Sequence, residues 1–515
     1  MLDPIELSLF ASRVDSICGE MGVQLSQAAF SPNIRDRLDF SCALFDAEGG
    51  LCAQAAHIPV HLGSMAYAMA DIVAGIAWAP GDMVMLNDPF LGGTHLPDVT
   101  VVAPLFVGDA LVAFVANRAH HADIGGEAPG SMPLSRSLQE EGILIPPGHI
   151  VREGQLDQAR LDEITAATRN PRDAQGDFAA QMGANRRGLE RLGALIDTMG
   201  VATWQQAVAQ LNDYGERLAR DALGAIPAGR FEFADCMDDD GLGHADIPIR
   251  VAIERHDDVL GVDFTGSAPQ VQGNINCPLS VTAAGVFYTL RCLMPAQTPA
   301  CAGTFRPIRL QAPEGSLLNA LRPAAVAAGN VETSTRVVDV VLGALARALP
   351  GRIPAASHGS MNNVAMGQGG AHPWGYYETL GGGMGAGPDG GGLSAVQTHM
   401  TNTRNTPIEV LESRYPLRVR RYALRRGSGG AGARPGGDGL IRSYEFLAPA
   451  RVTLLTERRS HAPWGLEGGA DGQAGINRLN DKLLPGKVSR ELKAGDVLTI
   501  ETPGGGAFGA VASGK

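Results

Sequence analysis

Thiols are scarce in this chain and never paired. Its 515 residues carry 7 cysteines, at positions 18, 42, 52, 236, 277, 292 and 301, and no two form a Cys-x-x-Cys motif. That excludes a thiolate zinc ribbon and a dithiol redox centre, and the odd, scattered set reads as reduced thiols of a cytoplasmic protein. Long apolar runs are missing too. None reaches ~18 residues, so no membrane span is expected. The start, Met1-Leu-Asp-Pro-Ile-Glu6, carries acid early and lacks the basic run of a secretory signal. Positive charge is in deficit: 42 Lys and Arg against 54 Asp and Glu give a net charge of −12, which argues against nucleic acid or an anionic membrane as partner. The basic patches at Arg418 to Arg421 and at Arg425-Arg426 are short and read as solvated surface. There is no Gly-x-x-x-x-Gly-Lys-Ser/Thr loop, no Gly-x-Ser-x-Gly elbow and no Cys-Gly-Ser-Cys signature. If the reaction consumes ATP, no standard phosphate cradle in this chain holds it.

What is present is an ordinary globular composition, 44% hydrophobic and 19% charged, in a chain too long for one core. The pattern predicts a mixed α/β (α+β), multidomain fold. A hairpin-rich α/β domain with a metal site occupies 1–150, a helical segment 151–226, an α/β domain 227–350, and a glycine-rich, mainly β domain 351–515. Residues 4–28 read as a helix capped by Asp3 with Pro4 in its first turn. A hairpin around Gly49-Gly50 follows, then a buried helix at 63–78 and a short strand at 84–86. Asn170-Pro171 begins a second long helix of the middle segment and Gly200 ends it. Strands return at 230–235, 247–254 and 259–264, and helices at 278–293 and 331–349. The glycine-dense stretch from Leu380 to Leu393 reads as a long loop. No short-period repeat appears.

The chemistry concentrates near the start, at His95-Leu-Pro-Asp98 and His120-His121-Ala-Asp123. Between them Val99 to Phe106 is apolar, Gly108-Asp109 is a turn pair, and Leu111 to Ala116 is apolar again, which predicts one β-hairpin. Pairing about that turn sets Asp98 opposite Ala119 and Pro97 opposite His120. His95, Asp98, His120 and His121 then meet at the open end of the hairpin. A lone histidine there would more often only hydrogen-bond a strand end. Imidazoles and a carboxylate converging without a nearby thiol suit Zn, Mn or Fe and leave a position open for water or substrate.

Asp39, at the head of the first predicted strand, is the first choice for a further ligand and Asp36 the second; surface pairing with Arg35 and Arg37 is the alternative. His57 and His61 are four apart, but Pro59 between them argues against a regular helix, so a loop or structural role is expected. Gly385-x-Gly387-x-x-Gly390 matches the dinucleotide fingerprint only formally, since it neither follows a clear strand nor opens a helix. His399, Asn402 and Arg404 could line a pocket or satisfy loop backbone.

Taken together, several segments resemble the hydantoinase B/oxoprolinase family. They are Ser31-Pro-Asn-Ile-Arg-Asp-Arg-Leu-Asp-Phe-Ser41, His57-Ile-Pro-Val-His-Leu-Gly-Ser-Met65, Asn87-Asp-Pro-Phe-Leu-Gly-Gly-Thr-His-Leu-Pro-Asp98 and Asn117-Arg-Ala-His-His-Ala-Asp-Ile-Gly-Gly126. Gly273-Asn-Ile-Asn-Cys-Pro278, Thr406-Pro-Ile-Glu409 and Thr502-Pro-Gly-Gly-Gly506 extend the likeness over the whole chain. The resemblance implies one half of a heteromeric, ATP-dependent enzyme acting on a small lactam or hydantoin. Its partner, a hydantoinase A-like ATPase subunit, holds ATP and phosphorylates the substrate oxygen. The present half carries a divalent transition metal. The family's metal motif falls on His95, Asp98 and His120, with Asp39 as a further ligand and His121 and Asp123 nearby as candidate catalytic residues. Ketone carboxylases of the acetone or acetophenone type are related, so a metal-bearing carboxylase subunit is the alternative; a non-catalytic stabilising subunit is a third.

Overall fold

The computed structural model describes residues 2–55, 58–370 and 373–511. His57 lies outside the described residues. The first helix, α1 (Pro4–Ala28), begins as its sequence asks. The Asp3 carboxylate accepts from the amides of Ile5 and Glu6, and Glu6 returns a contact to the Asp3 amide.

A seven-stranded antiparallel sheet then forms from β1 (Phe40–Asp46), β2 (Leu51–Ala55), β3 (Met83–Leu86), β4 (Asp98–Val107), β5 (Ala110–His120), β6 (Gly148–Arg152) and β7 (Gln155–Leu156), in the order β2-β1-β5-β4-β3-β6-β7. Both faces are covered. Cys42, Leu44, Val101 and Val115 pack under α1 and the long middle helix α3 (Pro171–Met199). Ala43, Phe45, Val102 and Phe114 point the other way, toward α2 (Pro59–Ala74). Period-two alternation along each strand divides the two cores.

The hairpin β4–β5 forms with its turn at Gly108-Asp109, where Gly108 takes a φ of 59°. Its register departs from expectation. A bulge sets Leu105 opposite Ala113 but Phe106 opposite Leu111, so one extra residue enters β5. Every pair beyond it moves by one, and Asp98 faces His120 rather than Ala119.

The start of α2 is a second departure. Pro59 opens the helix instead of breaking it, because a first-turn residue has no intrahelical partner for its amide. His61 therefore sits in the first turn. The helix crosses α5 (Leu279–Arg291) closely enough that a Cβ on Gly63 would fall onto the backbone of Ala284. We expect Gly63→Val to force the two helices apart and destabilise the protein by about 1–3 kcal/mol, read as a lowered denaturation midpoint.

The middle segment adds α4 (Val201–Gly224) after α3, with Gly200 at the junction. A second sheet has the order β11-β10-β9-β8, from β8 (Gly229–Asp239), β9 (Ala245–His256), β10 (Val259–Asp263) and β11 (Ile308–Gln311). Helix α6 (Ser334–Ala348), almost wholly buried, packs on β8 and β9. The C-terminal region holds a four-stranded sheet, β13-β12-β16-β19, and a five-stranded one, β14-β15-β20-β17-β18. Their strands are β12 (Asn363–Gln368), β13 (Trp374–Glu378), β14 (Leu417–Arg425), β15 (Gly439–Phe446), β16 (Ala450–Leu455), β17 (Ile476–Leu479), β18 (Lys482–Leu484), β19 (Lys487–Leu492) and β20 (Val497–Glu501). The fold is mixed α/β with several antiparallel sheets. The formal Gly385–Gly390 fingerprint is a packed loop, where a Cβ on Gly385 would strike the carbonyl of Ala355. None of the described helices is long and apolar enough to cross a membrane.

Candidate metal centre

Three adjacent strands end in a row. Phe40 pairs with Ala119, which sets Asp39 beside His120, and the His120 amide donates to the Asp39 carbonyl at 2.9 Å. Asp98 lies opposite His120 on the far side. Directly opposed residues of an antiparallel pair point to one face, so Asp39, His120 and Asp98 all face the α2 side. His95 reaches the same place from the loop before β4, stiffened by Pro97. The ligand atoms of His95, Asp98 and His120 lie within 4.8 Å of one another.

The group is buried, with His95 and Asp98 at 0% exposure and His120 at 3%. Such depth demands that polar atoms be satisfied, yet His95 Nε2 and His120 Nε2 have no hydrogen-bond partner. Asp98 Oδ2 accepts from Thr94 Oγ1 at 2.6 Å and from Asn330 Nδ2 at 3.2 Å. His95 Nδ1 lies 3.3 Å from the Ala327 carbonyl, which orients the ring, and its Nε2 lies 3.3 Å from Asp98 Oδ2. Unpartnered imidazole nitrogens beside a carboxylate in a dry pocket are costly, and a bound cation would relieve that cost. The Asn33 amide sits 3.2 Å from His120 Nδ1, and the Tyr377 ring stacks on the His120 ring at 4.8 Å and 2°. The donor set, two imidazoles and a carboxylate without sulfur, fits a divalent transition ion.

Electrostatics agree with the geometry. Burial holds the His120 pKa well below its ordinary value, so its ring is neutral and ready to donate a lone pair. Burial alone would raise Asp98, but His61 and His95 outweigh it and keep the carboxyl well below the usual range. Asp39 is raised by burial, against the opposing pull of Arg37, His61 and His95. Its carboxylate stands 3.8 Å from Arg37 and outside the tight group of three.

Sequence reasoning missed His61. Its Nε2 lies 3.2 Å from Asp98 Oδ1, and its Nδ1 faces Ser41 Oγ at 3.4 Å. The signal was available: Pro59 at a helix start puts His61 one turn in. His121 corrects the expectation that four groups meet. Adjacent strand residues point to opposite faces, and His121 turns to Gln181 at 2.9 Å and packs on Phe178. Asp123 pairs with Arg169 at 2.8 Å, and Asp36 with Arg35 at 2.8 Å. Asn402 and Arg404 line a separate cavity of about 690 Å³, while the half-buried His399 packs edge-on against Tyr288.

A buried relay runs behind Tyr377. Its hydroxyl donates to Asn363 Oδ1 at 2.6 Å, and Asn363 Nδ2 donates to Glu332 Oε1 at 2.7 Å. Burial, reinforced by Glu457, pushes Glu332 up to about 8. A carboxyl whose folded pKa exceeds its unfolded value stabilises fully below the unfolded pKa. That contribution drains away as pH rises through the folded one. Between about pH 4.5 and 8 the wild type should therefore lose stability that Glu332→Gln retains. Urea midpoints of the two proteins at pH 5 and pH 9 check this, and parallel curves contradict it.

A family profile described as Hydantoinase B/oxoprolinase matches residues 3–511. Arabidopsis thaliana 5-oxoprolinase 1 is 41% identical over 98% of the chain, which spans 42% of that relative. The chain thus covers about two fifths of the length of this longer relative. A Pseudomonas sp. protein described as the B component of a D-/L-hydantoinase is 33% identical, over 99% of this chain and 90% of its own length. Among solved structures, the ATP-dependent caprolactamase from Pseudomonas jessenii superposes with a TM-score of 0.93 at 27% identity, covering 99% of this chain and 92% of that one.

Proposed function

The chain belongs to the hydantoinase B/oxoprolinase family, and on that footing we propose that it is the metal-bearing subunit of an ATP-dependent cyclic-amide hydrolase. Its substrate is a lactam, hydantoin or 5-oxoproline-like ring whose oxygen a hydantoinase A-like partner has phosphorylated. One observation carries the reading: the buried Nε2 atoms of His95 and His120 have no hydrogen-bond partner where they converge on the Asp98 carboxylate. The relatives' names support the reaction class, and the description of the shorter relative as one component of an enzyme supports a separate partner. The absence of a phosphate loop is consistent with that division of labour.

A divalent ion held by His95, Asp98 and His120 supplies a Lewis acid that activates water at neutral pH. The chain's own residues do the rest. Ala327 aims His95, Asn33 and Tyr377 clamp His120, and Thr94 with Asn330 orients Asp98. Asp39, raised by burial, stands beside the group as a further ligand or as the base that takes a proton from the attacking water. His121 and Asp123 point away and hold the sheet to α3 and its preceding loop.

The test joins elemental analysis to reconstitution. Purified chain should hold one transition ion in the buried centre, and with an actin-like ATPase partner it should release phosphate in proportion to lactam opened, without bicarbonate. An absolute bicarbonate requirement would move the reading to a carboxylase. A metal-free chain that supports full activity would leave only a stabilising role.

A further inference from the structure

A second set of metal-ligand atoms shares no residue with the buried centre and differs from it in chemistry. Cys236 on β8, Asp246 on β9 and His461 on the loop after β16 bring a thiol, a carboxylate and an imidazole within 4.8 Å of one another. We propose that these three residues form a surface site for zinc or a similarly thiophilic divalent ion, with solvent completing the coordination.

Three features build the site. Cys236 and Asp246 stand on the two arms of one hairpin, where the ladder runs through Cys236–Pro248, Met237–Ile247 and Asp239–Ala245. Asp246 takes a φ of 55° at the gap in that ladder. His461 is held from behind: the backbone amides of Arg459, Ser460 and His461 all donate to the Asp238 carboxylate, at 2.5, 3.0 and 3.1 Å. Its Nε2 already meets Asp246 Oδ1 at 2.7 Å. The three ligands therefore come from segments fixed independently of any ion, so little ordering is left for binding to supply.

The chemistry differs from that of the buried centre. Thiolate with imidazole and carboxylate is a zinc-type set, and three protein ligands leave a fourth position to water. The partly exposed imidazole and the exposed Asp246 allow an ion to enter from solvent. Binding releases the thiol proton to solvent as the S–metal bond forms, so affinity should fall as pH falls. Because the ion ties the β8–β9 hairpin to the segment after β16, binding should also raise the unfolding temperature.

Cobalt(II) and zinc(II) are the probes, and the full chain is the sample. Co²⁺ should give a thiolate-to-metal charge-transfer band that the sulfur-free buried centre cannot produce. Cys236→Ser, His461→Ala and Asp246→Asn should each abolish or shift it while leaving lactam-dependent phosphate release unchanged. Zn²⁺ should slow alkylation of Cys236 by about tenfold or more, since a metal-bound thiolate is masked as a nucleophile. Cys292, the exposed free thiol, should react at the same rate with and without zinc. No thiolate band with cobalt, or equal Cys236 alkylation in the two conditions, overturns the site. Neither readout depends on the activity of the buried centre.

Discussion

Asp98→Ala should lose the bound transition ion and lower lactam-dependent phosphate release on the order of 10²–10³-fold, the effect of removing one preorganised electrostatic group from a water-excluded site. The carboxylate is the hub of the centre. One oxygen takes the Thr94 hydroxyl and the Asn330 amide, and both oxygens face imidazoles, His61 on one side and His95 on the other. Removing it strands those donors, so some stability is lost as well. Asp98→Asn separates the two effects. It keeps the shape but presents an amide to a ring of donors and removes the charge that a cation needs. It should fold, by circular dichroism and denaturation midpoint, and still lack metal in the buried centre. His61→Gln should be milder. His61 orients the hub without belonging to the group of three, so stoichiometric metal should remain with affinity weakened about 10–100-fold. A folded Asp98→Asn protein with full metal and full activity would remove Asp98 from the centre.

How far this centre is legible in the sequence depends on the range of each contact. Alternation of apolar residues and one Gly-Asp turn place His95, Asp98 and His120 at one end of a hairpin, because a hairpin is a local object. The one-residue shift comes from the bulge in β5, which depends on how β5 packs between β1 and β4. The same period-two rule that brings His120 in sends His121 out. Pro59 reads as a breaker where its position makes it a starter, and that hides His61. Asn330 and Tyr377 arrive from more than 200 residues away, and no local pattern announces them. Helices α1 and α3 are legible because their ends carry capping residues: Asp3, Asn170 and Gly200.

Asp339→Ala should be among the most destabilising single changes in the chain, at about 3–5 kcal/mol. Asp339 on α6 accepts from Arg458 at 2.5 Å, and Arg458 also binds Asp235 on β8 at 2.8 Å. Arg336 reaches Asp235 at 3.5 Å and Glu457 at 3.3 Å, and Lys487 on β19 closes on Glu457. Arg336, Arg458 and Lys487 thus meet Asp235, Asp339 and Glu457, a balanced set in which all but Asp235 are at most 1% exposed. Water cannot compensate a missing partner at that depth, so the cost comes from leaving the Arg458 guanidinium short of one of its two carboxylates. Two comparisons isolate that cause. The double change Asp339→Leu with Arg458→Met removes both charges and should recover more than half of the loss. Glu232→Ala, at an ion pair with Arg230 whose side chains are 49% and 62% exposed, should cost less than about 1 kcal/mol. Because Glu457 also presses on Glu332, and Glu332 holds Asn363 and through it Tyr377, the damage should extend toward the ring that backs His120. Asp339→Ala should therefore weaken metal binding modestly as well as lower the denaturation midpoint. If its midpoint falls no further than that of Glu232→Ala, the web is not what joins α6 to the C-terminal sheets.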